Sequence, residues 1–264
     1  MSQTDGTSRE IGYQVIDIAT PVALLTCWEA EQAREDIVRC ACENNLTYIP
    51  VRDSKRITGI VSRRALEAGE APSSLTSDWL ITTDTTILEV IELFAEQPDR
   101  VFLVLQSSRI VGLVAPADLN KIPARASVYL LVAHFEAELM RLIKRVLPDE
   151  ADYRACFTDN RWKKLHQLRT EFASKDFELD LLHCLYASDM ERIVSKADRL
   201  RDALGYANEK SAERALEGFQ DIRNRVSHPT RPLVASRGEL VKLNETCRRL
   251  IDLNQRIARA NGTT

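Results

Sequence analysis

The stretch TYIPVRDSKRITGIV, residues 47–61, decides the fold of the N-terminal part of this chain. Its two short runs rich in β-branched residues, 47–51 and 57–61, flank the turn sequence Arg-Asp-Ser-Lys and therefore predict a β-hairpin. A second stretch, VFLVLQSSRIVGLV at 101–114, repeats this order and, once one gap is allowed, aligns Gly112 with Gly59. We therefore predict an internal repeat with strands at 47–51, 57–61, 101–105 and 110–114.

Amphipathic helices are predicted on both sides of each hairpin, because apolar residues there recur with helical spacing. The predicted spans are 28–44 and 62–68 in the first repeat, and 86–96 and 116–120 in the second. After Lys121 the strand patterns end and apolar residues recur three and four positions apart. Helices are predicted there over about 129–146, 161–172, 179–186, 190–200, 211–228 and 238–260. The chain is thus expected to be α+β, with α/β repeats followed by an all-α helical bundle.

Composition narrows the class of protein. The chain has 264 residues, 44% of them hydrophobic, which is enough for two domains with their own cores. Its net charge of −3 excludes a general nucleic-acid coat protein and leaves only a local basic patch around Arg223 to Arg237. The six cysteines include no Cys-x-x-Cys pair and lie in apolar patterns, which favours buried, reduced thiols over zinc binding. No leader and no long apolar run is visible, so we expect a soluble, cytoplasmic protein without a membrane partner.

The hexapeptide Arg-Asn-Arg-Val-Ser-His at 223–228, followed by Pro229, carries the clearest chemistry. Arg223 can stabilise an anionic oxygen, His228 can move a proton near neutral pH, and Asn224 can orient either the imidazole or a phosphate. Asn224 and His228 share a helix face, whereas Arg223 and His228 lie about 140° apart, so two facing copies would form a better site than one. The alternative is a helix C-terminus whose basic residues complement the helix dipole.

The tandem unit with glycine in its second strand resembles the CBS domain pair, or Bateman module, over residues 11–124. In that family the second strand runs into Gly-x-x-Thr-x-x-Asp, where the hydroxyl meets phosphate and the carboxylate binds the ribose hydroxyls. The first repeat keeps the hydroxyl as Ser62 but has Ala65 in place of the acid. The second keeps Asp118 but has Ala115 in place of the hydroxyl.

The resemblance implies a regulatory adenine nucleotide, AMP, ADP or ATP, with Asp118 and Ser62 as binding residues and Arg63 and Arg64 near the phosphates. Each assignment has a structural alternative. Asp118 stands at a helix start, where a carboxylate also caps backbone N–H groups. Adjacent arginines such as Arg63 and Arg64 are equally typical of a solvated helix face.

Residues 125–264 resemble a HEPN domain. Its motif is an Arg and a His separated by four to six residues, with a polar residue directly after the Arg, on the penultimate long helix of a four- or five-helix bundle. Here those residues are Arg223, Asn224 and His228. The resemblance implies a homodimeric, metal-independent endoribonuclease with a composite site that leaves a 2′,3′-cyclic phosphate. His228 would be the general base or acid, Arg223 would stabilise the charge on phosphorus, and Asn224 would orient its neighbours. Thr230 stands where some toxin members have a modified Tyr, so that modification is not expected.

The predicted organisation is therefore a disordered tail at 1–10, a CBS pair at 11–124 and a HEPN-like bundle at 125–264. The function implied is a nucleotide-controlled ribonuclease, acting on RNA rather than DNA, in stress or phage defence. Glu171 and Asp180 are candidate carboxylates behind Arg223. The alternative is a non-enzymatic regulator or scaffold that binds nucleotide through the repeats and protein or RNA through the bundle.

Overall fold

The computed structural model describes residues 12–29, 31–175 and 180–262. Contacts divide these residues into two compact units, Gly12–Ala124 and the chain from Arg125 onward. The tail predicted at 1–10 lies outside the described residues, and so does residue 179. The helix predicted over 179–186 is wrong, because only a 3-10 turn, Leu181–Cys184, forms there.

The N-terminal unit contains eight short strands in its described residues: β1 (Thr20–Pro21), β2 (Trp28–Glu29), β3 (Tyr48–Asp53), β4 (Arg56–Ser62), β5 (Ser73–Ser74), β6 (Leu80–Thr82), β7 (Phe102–Gln106) and β8 (Arg109–Val114). They form two four-stranded sheets, ordered β1-β8-β7-β6 and β2-β3-β4-β5. The helices are α1 (Arg34–Glu43), α2 (Arg63–Glu67) and α3 (Ile87–Glu96), and 3-10 turns lie at Val15–Asp17, Val22–Leu24, Ser77–Trp79 and Pro116–Asn120. Both predicted hairpins are confirmed as β3–β4 and β7–β8.

The two sheets repeat each other in register. Each hairpin has its bulge at the same place, after Val51 in β3 and after Val104 in β7. Gly59 pairs with the edge strand β5 and Gly112 with the edge strand β1. A Cβ added at either glycine would lie 2.9 Å from a backbone oxygen of that edge strand. Both repeats therefore need glycine because a short strand from elsewhere in the chain closes on the hairpin.

The helix predicted over 28–44 is wrong at its start. Trp28 and Glu29 form β2, which pairs in parallel with β3, and the helix begins only at Arg34. The carboxylate of Glu29 accepts a 2.8 Å hydrogen bond from Nε of Arg52 on β3. Pairing with a strand some twenty residues later thus overrides the local helical spacing.

The helical unit is built on two long helices, α4 (Ile122–Val146) and α11 (Arg237–Asn261). Between them lie α5 (Glu150–Arg154), α6 (Asp159–Ala173), α7 (Ala187–Lys196), α8 (Asp198–Ala203), α9 (Glu209–Ala215) and α10 (Phe219–Ser227), with a 3-10 turn at Leu181–Cys184. Helix α4 begins earlier than predicted, at Ile122. Pro123 is compatible with this start, because the missing N–H of a residue in the first turn costs no helical hydrogen bond.

The single helix predicted over 211–228 is wrong. Gly218 adopts φ of +86°, which ends the run after α9 and starts α10 at Phe219. A Cβ at Gly218 would lie 2.5 Å from Oγ1 of Thr246 on α11, so glycine also allows the close approach of the two segments. Phe219 then packs edge-to-face on Phe135 of α4, with ring centroids 4.9 Å apart. This break and this contact orient α10.

All six cysteines are free thiols, and Cys27, Cys156, Cys184 and Cys247 are buried, as expected. The prediction of a buried thiol is wrong for Cys40, which is half-buried, and for Cys42, which is exposed. Cys42 lies on the outer side of α1, where its sulfur contacts Oε1 of Glu67 at 3.5 Å. Every helix in the described ranges is too short or too polar to cross a bilayer.

Candidate functional site

Helix α10 has one buried side and one accessible side. Phe219, Ile222 and Val226 are buried against the bundle, at the spacing expected of an amphipathic helix. Asn224 is exposed and Arg223 partly exposed on the remaining surface. The apolar spacing of α10 thus fixes which residues of the Arg-Asn-Arg-Val-Ser-His segment reach solvent.

Arg223 forms an ion pair with Glu136 of α4. Its Nε lies 3.7 Å from Oε1 of Glu136, and the two side chains are 44% and 28% exposed. Burial raises the pKa of Glu136 above its ordinary value, whereas the charge of Arg223 and a hydrogen bond from it act in the opposite direction. The cation of the motif is therefore partly neutralised within one chain.

Sequence reasoning missed Glu136 and favoured two other carboxylates. Glu171 instead pairs at 3.4 Å with Lys175, just after the end of α6, and Asp180 pairs at 2.9 Å with Lys144 of α4. The predictions that Glu171 and Asp180 stand behind Arg223 are therefore wrong. The sequence signal that could have identified Glu136 is its position directly after Phe135, a residue of the apolar face of α4 that is buried in the structure.

His228 ends α10 and is exposed. Its backbone leaves the helical region, with φ of −114° and ψ of 92°, as expected for a residue before proline. Its carbonyl oxygen accepts a 3.0 Å hydrogen bond from the N–H of Arg231, which closes a turn around Pro229. The imidazole thus stands at the accessible end of the helix that carries Arg223 and Asn224.

The guanidinium of Arg125, in the first turns of α4, contacts this same turn. Its Nη1 donates to the carbonyl of Arg225 and, at 3.4 Å, to that of His228. Its Nη2 donates to the carbonyl of Arg231. No sequence signal relates Arg125 to His228, because the two lie 103 positions apart.

The basic patch predicted between Arg223 and Arg237 is weaker than its composition suggests. Arg225 forms ion pairs with Asp221 and Glu239, each at 3.0 Å. Arg225 and Glu239 thus tie α10 to the start of α11. Two arginines of the patch, Arg223 and Arg225, therefore have carboxylate partners within the chain.

In the N-terminal unit, both retained residues of the predicted half-sites cap helices. Oγ of Ser62 accepts a 3.1 Å hydrogen bond from the N–H of Ala65. Oδ2 of Asp118 accepts a 2.7 Å bond from the N–H of Ala115, and Oδ1 lies 2.8 Å from Nζ of Lys121. Asp118 and Ser62 therefore have structural partners of their own.

The two adjacent arginines differ. Arg63 donates to the side chain of Asn45 at 3.3 Å and lies 3.9 Å from Glu67. Arg64 is exposed at the surface of α2. Arg63 is thus anchored, and Arg64 is the more accessible cation.

A cavity of about 430 Å³ lies beside the first predicted half-site, lined by Tyr48, Trp79, Gln97, Pro98, Asp99 and Arg100. The rings of Tyr48 and Trp79 are 5.6 Å apart, and the guanidinium of Arg100 lies 4.1 Å above the Trp79 ring. Tyr48 is the cross-strand partner of Ser62, which places that hydroxyl beside the cavity wall. Aromatic faces next to a cation suit a ligand in which a flat ring is linked to a negatively charged group.

This cavity has no aromatic counterpart at the symmetry-related positions. By register, Val101 holds the position of Tyr48 in the second repeat, and Thr26 and Thr47 hold those of Trp79 and Arg100. Sequence reasoning missed the cavity because Trp79 and Arg100 lie outside the predicted strands and helices.

No family model matches the chain. No curated protein matches it. The solved structures that match include CBSX2 in complex with AMP, at 20% identity over 41% of this chain and 93% of that one, with a TM-score of 0.36. Another is the CBS-pair protein CBSX2 from Arabidopsis thaliana, at 19% identity over 41% and 92%, with a TM-score of 0.35. A third is the CBS domain of the bacterial CNNM/CorC family Mg2+ transporter in complex with ATP, at 17% identity over 40% and 84%, with a TM-score of 0.35. These three structures contain CBS domains, and they align with the N-terminal part of this chain.

Proposed function

We propose that this chain is a metal-independent endoribonuclease that acts as a homodimer and is controlled by an adenine nucleotide. The observation that carries the proposal is the accessible end of α10, where a cation, an amide and an imidazole follow one another on a helix held by Phe219 and Phe135. Two copies of Arg223, Asn224 and His228 would form one composite site.

The chemistry needs only these side chains. His228 of one copy takes the proton from a ribose 2′-hydroxyl, and the 2′-oxygen attacks the adjacent phosphorus. The bond from phosphorus to the 5′-oxygen breaks, and His228 of the other copy donates a proton to that oxygen. Arg223 stabilises the charge on the phosphoryl oxygens, and Asn224 orients the phosphate or the imidazole. The products are a 2′,3′-cyclic phosphate and a 5′-hydroxyl.

In this proposal, the RNA phosphate and the Glu136 carboxylate compete for the guanidinium of Arg223. An RNA phosphate must displace the Glu136 carboxylate, 3.7 Å from Arg223, to gain the guanidinium. Glu136 is already poorly solvated, since burial raises its pKa. The pair therefore keeps Arg223 beside α4 when no RNA is bound.

The nucleotide would bind in the cavity of Tyr48, Trp79 and Arg100. Its adenine would pack on the aromatic rings, and Arg100 would face the phosphates. Ser62 and the exposed Arg64 are further candidate contacts on the same repeat, and Arg63 would have to give up Asn45 to contribute. Asp118 would bind ribose only in exchange for its contacts with Ala115 and Lys121.

The second candidate is a non-enzymatic regulator whose bundle binds protein or RNA. It is favoured by the neutralisation of Arg223 by Glu136 within one chain. It is also favoured by the capping roles of Ser62 and Asp118.

The two candidates are separated by incubating purified protein with a panel of structured RNAs in EDTA. We expect wild type, and His183→Ala as a control at another exposed histidine, to release fragments with 2′,3′-cyclic phosphate ends. We expect no such fragments from His228→Ala. Equal cleavage by His228→Ala, or no cleavage by any of the three proteins, would favour the regulator.

A further inference from the structure

Arg125 occupies a place that the protein backbone leaves open. In a continuing α-helix the carbonyl of Arg225 would accept a hydrogen bond from the N–H four residues later. That residue is Pro229, which has no N–H. Nη1 of Arg125 donates to this carbonyl instead. The guanidinium thus completes the last turn of α10.

The same guanidinium also spans the turn that follows. Nη1 reaches the carbonyl of His228 at 3.4 Å, and Nη2 donates to the carbonyl of Arg231. The N–H of Arg231 returns to the carbonyl of His228 at 3.0 Å. One planar fork therefore contacts the chain before, at and after His228.

We propose that Arg125 is a positioning residue for His228, because it fixes the backbone that sets the direction of the imidazole. Its effect on catalysis rests on the proposed ribonuclease function, whereas its effect on the imidazole does not. In the proposed mechanism, Arg125 does not touch the substrate. It acts only through the carbonyls of Arg225, His228 and Arg231.

A lysine cannot replace this arrangement. Its ammonium is a compact charge, whereas the guanidinium presents donors in a rigid fork that can reach separated carbonyls at once. Arg125→Lys therefore keeps the charge and the aliphatic stem but loses the span from Arg225 to Arg231. The conservative variant separates positioning from simple charge complementarity at the end of α10.

The test compares wild type with Arg125→Ala, Arg125→Lys and the control Arg141→Ala. Arg141 lies on the same helix, is 69% exposed and pairs with Glu138 rather than with α10. Two measurements are made on full-length protein: the imidazole resonances of His228 as a function of pH, assigned with His228→Ala, and the kinetics of RNA cleavage in EDTA. Circular dichroism and thermal unfolding confirm that each variant is folded.

We expect both Arg125 variants to shift the His228 resonances, and Arg141→Ala to leave them unchanged. Misplacing a reacting group by about 1 Å can lower a rate by ~100-fold, so we expect kcat to fall at least about tenfold with KM nearly unchanged. Added guanidinium ion should partly restore Arg125→Ala but not Arg125→Lys, whose side chain still fills the space.

A purely structural role predicts a lower melting temperature with His228 resonances and pH profile like those of wild type. That result would overturn the proposal. If Arg125→Ala does not fold, Arg125→Lys decides by the same two measurements. If wild type cleaves no RNA, the ribonuclease function fails, and the resonances still decide whether Arg125 positions His228.

Discussion

Nε of Arg223 lies 3.7 Å from Oε1 of Glu136, so the cation of the motif and a half-buried carboxylate of α4 form one unit. Replacing Glu136 with Gln removes the competing charge but keeps the shape. We expect Glu136→Gln to bind single-stranded RNA more tightly, with a slope of log K against log salt that is steeper by about 0.7 for the one freed cation. Fluorescence anisotropy at several KCl concentrations measures both quantities.

The matched control for that prediction is Glu138→Gln. Glu138 lies on the same helix and pairs with Arg141 instead of with Arg223. We expect it to leave the affinity and the slope unchanged. Identical salt slopes for Glu136→Gln and wild type would contradict a role for Arg223 in binding phosphate.

Glu191 of α7 gives a prediction about pH. Burial raises its pKa above the ordinary 4.5, and a hydrogen bond from Gln220 only partly opposes this. A pKa that is higher in the folded than in the unfolded protein means that ionisation of Glu191 disfavours folding. The stability that the protonated carboxyl contributes is therefore fully present below the pKa of the unfolded state. It is lost as pH rises through the raised folded value.

We therefore expect Glu191→Gln, compared with wild type, to raise the melting temperature more at pH 7 than at pH 4. Gln preserves a partner for Gln220 while removing the charge. Thermal unfolding at the two pH values measures the difference. A variant whose melting temperature relative to wild type is the same at both pH values would show that the Glu191 charge does not oppose folding.

Gly218 gives a prediction about stability. Alanine there would adopt φ of +86° and place its Cβ 2.5 Å from Oγ1 of Thr246. We expect Gly218→Ala to lower the free energy of unfolding by about 1–3 kcal/mol. In contrast, Gly238→Ala near the start of α11 meets no atom within 4 Å and should be neutral or stabilising. Urea unfolding compares the two, and equal effects would contradict the conformational argument.

Arg100 gives a prediction about ligand binding. Its guanidinium lies over Trp79 in the cavity, whereas Arg109 is exposed at the tip of the second hairpin. We expect Arg100→Ala to weaken binding of AMP, ADP or ATP at least tenfold, or about 1.4 kcal/mol, and Arg109→Ala to leave it unchanged. Titration calorimetry on all three proteins measures this. Absence of heat with every nucleotide in wild type would remove the sensing role.

The sequence predicts the hairpins well because their determinants are local: alternating apolar residues, turn residues and a glycine in each second strand. The edge strands β1 and β5 escape prediction, since two-residue strands have no periodicity of their own. They are nevertheless the reason for Gly59 and Gly112, whose Cβ positions they block. A glycine that weakens one strand can thus indicate a second strand that is invisible in sequence.

The candidate site is predicted only in part for a similar reason. Arg223, Asn224 and His228 lie within six residues of the chain, so α10 and the residue that ends it carry all three. Glu136 and Arg125 join them only through packing of α4 on α10, which depends on Phe135 meeting Phe219. The break at Gly218 is also hidden, because helical spacing of apolar residues continues on both sides of it.

In the proposed enzyme, two copies of His228 serve one composite site. The most direct test is cleavage of RNA in EDTA by dimers from coexpression of wild type and His228→Ala in equal amounts. Random pairing makes about one quarter of the dimers fully wild type, so a composite site predicts about one quarter of the wild-type specific activity. About one half, the value expected if each chain carries its own complete site, would contradict the claim.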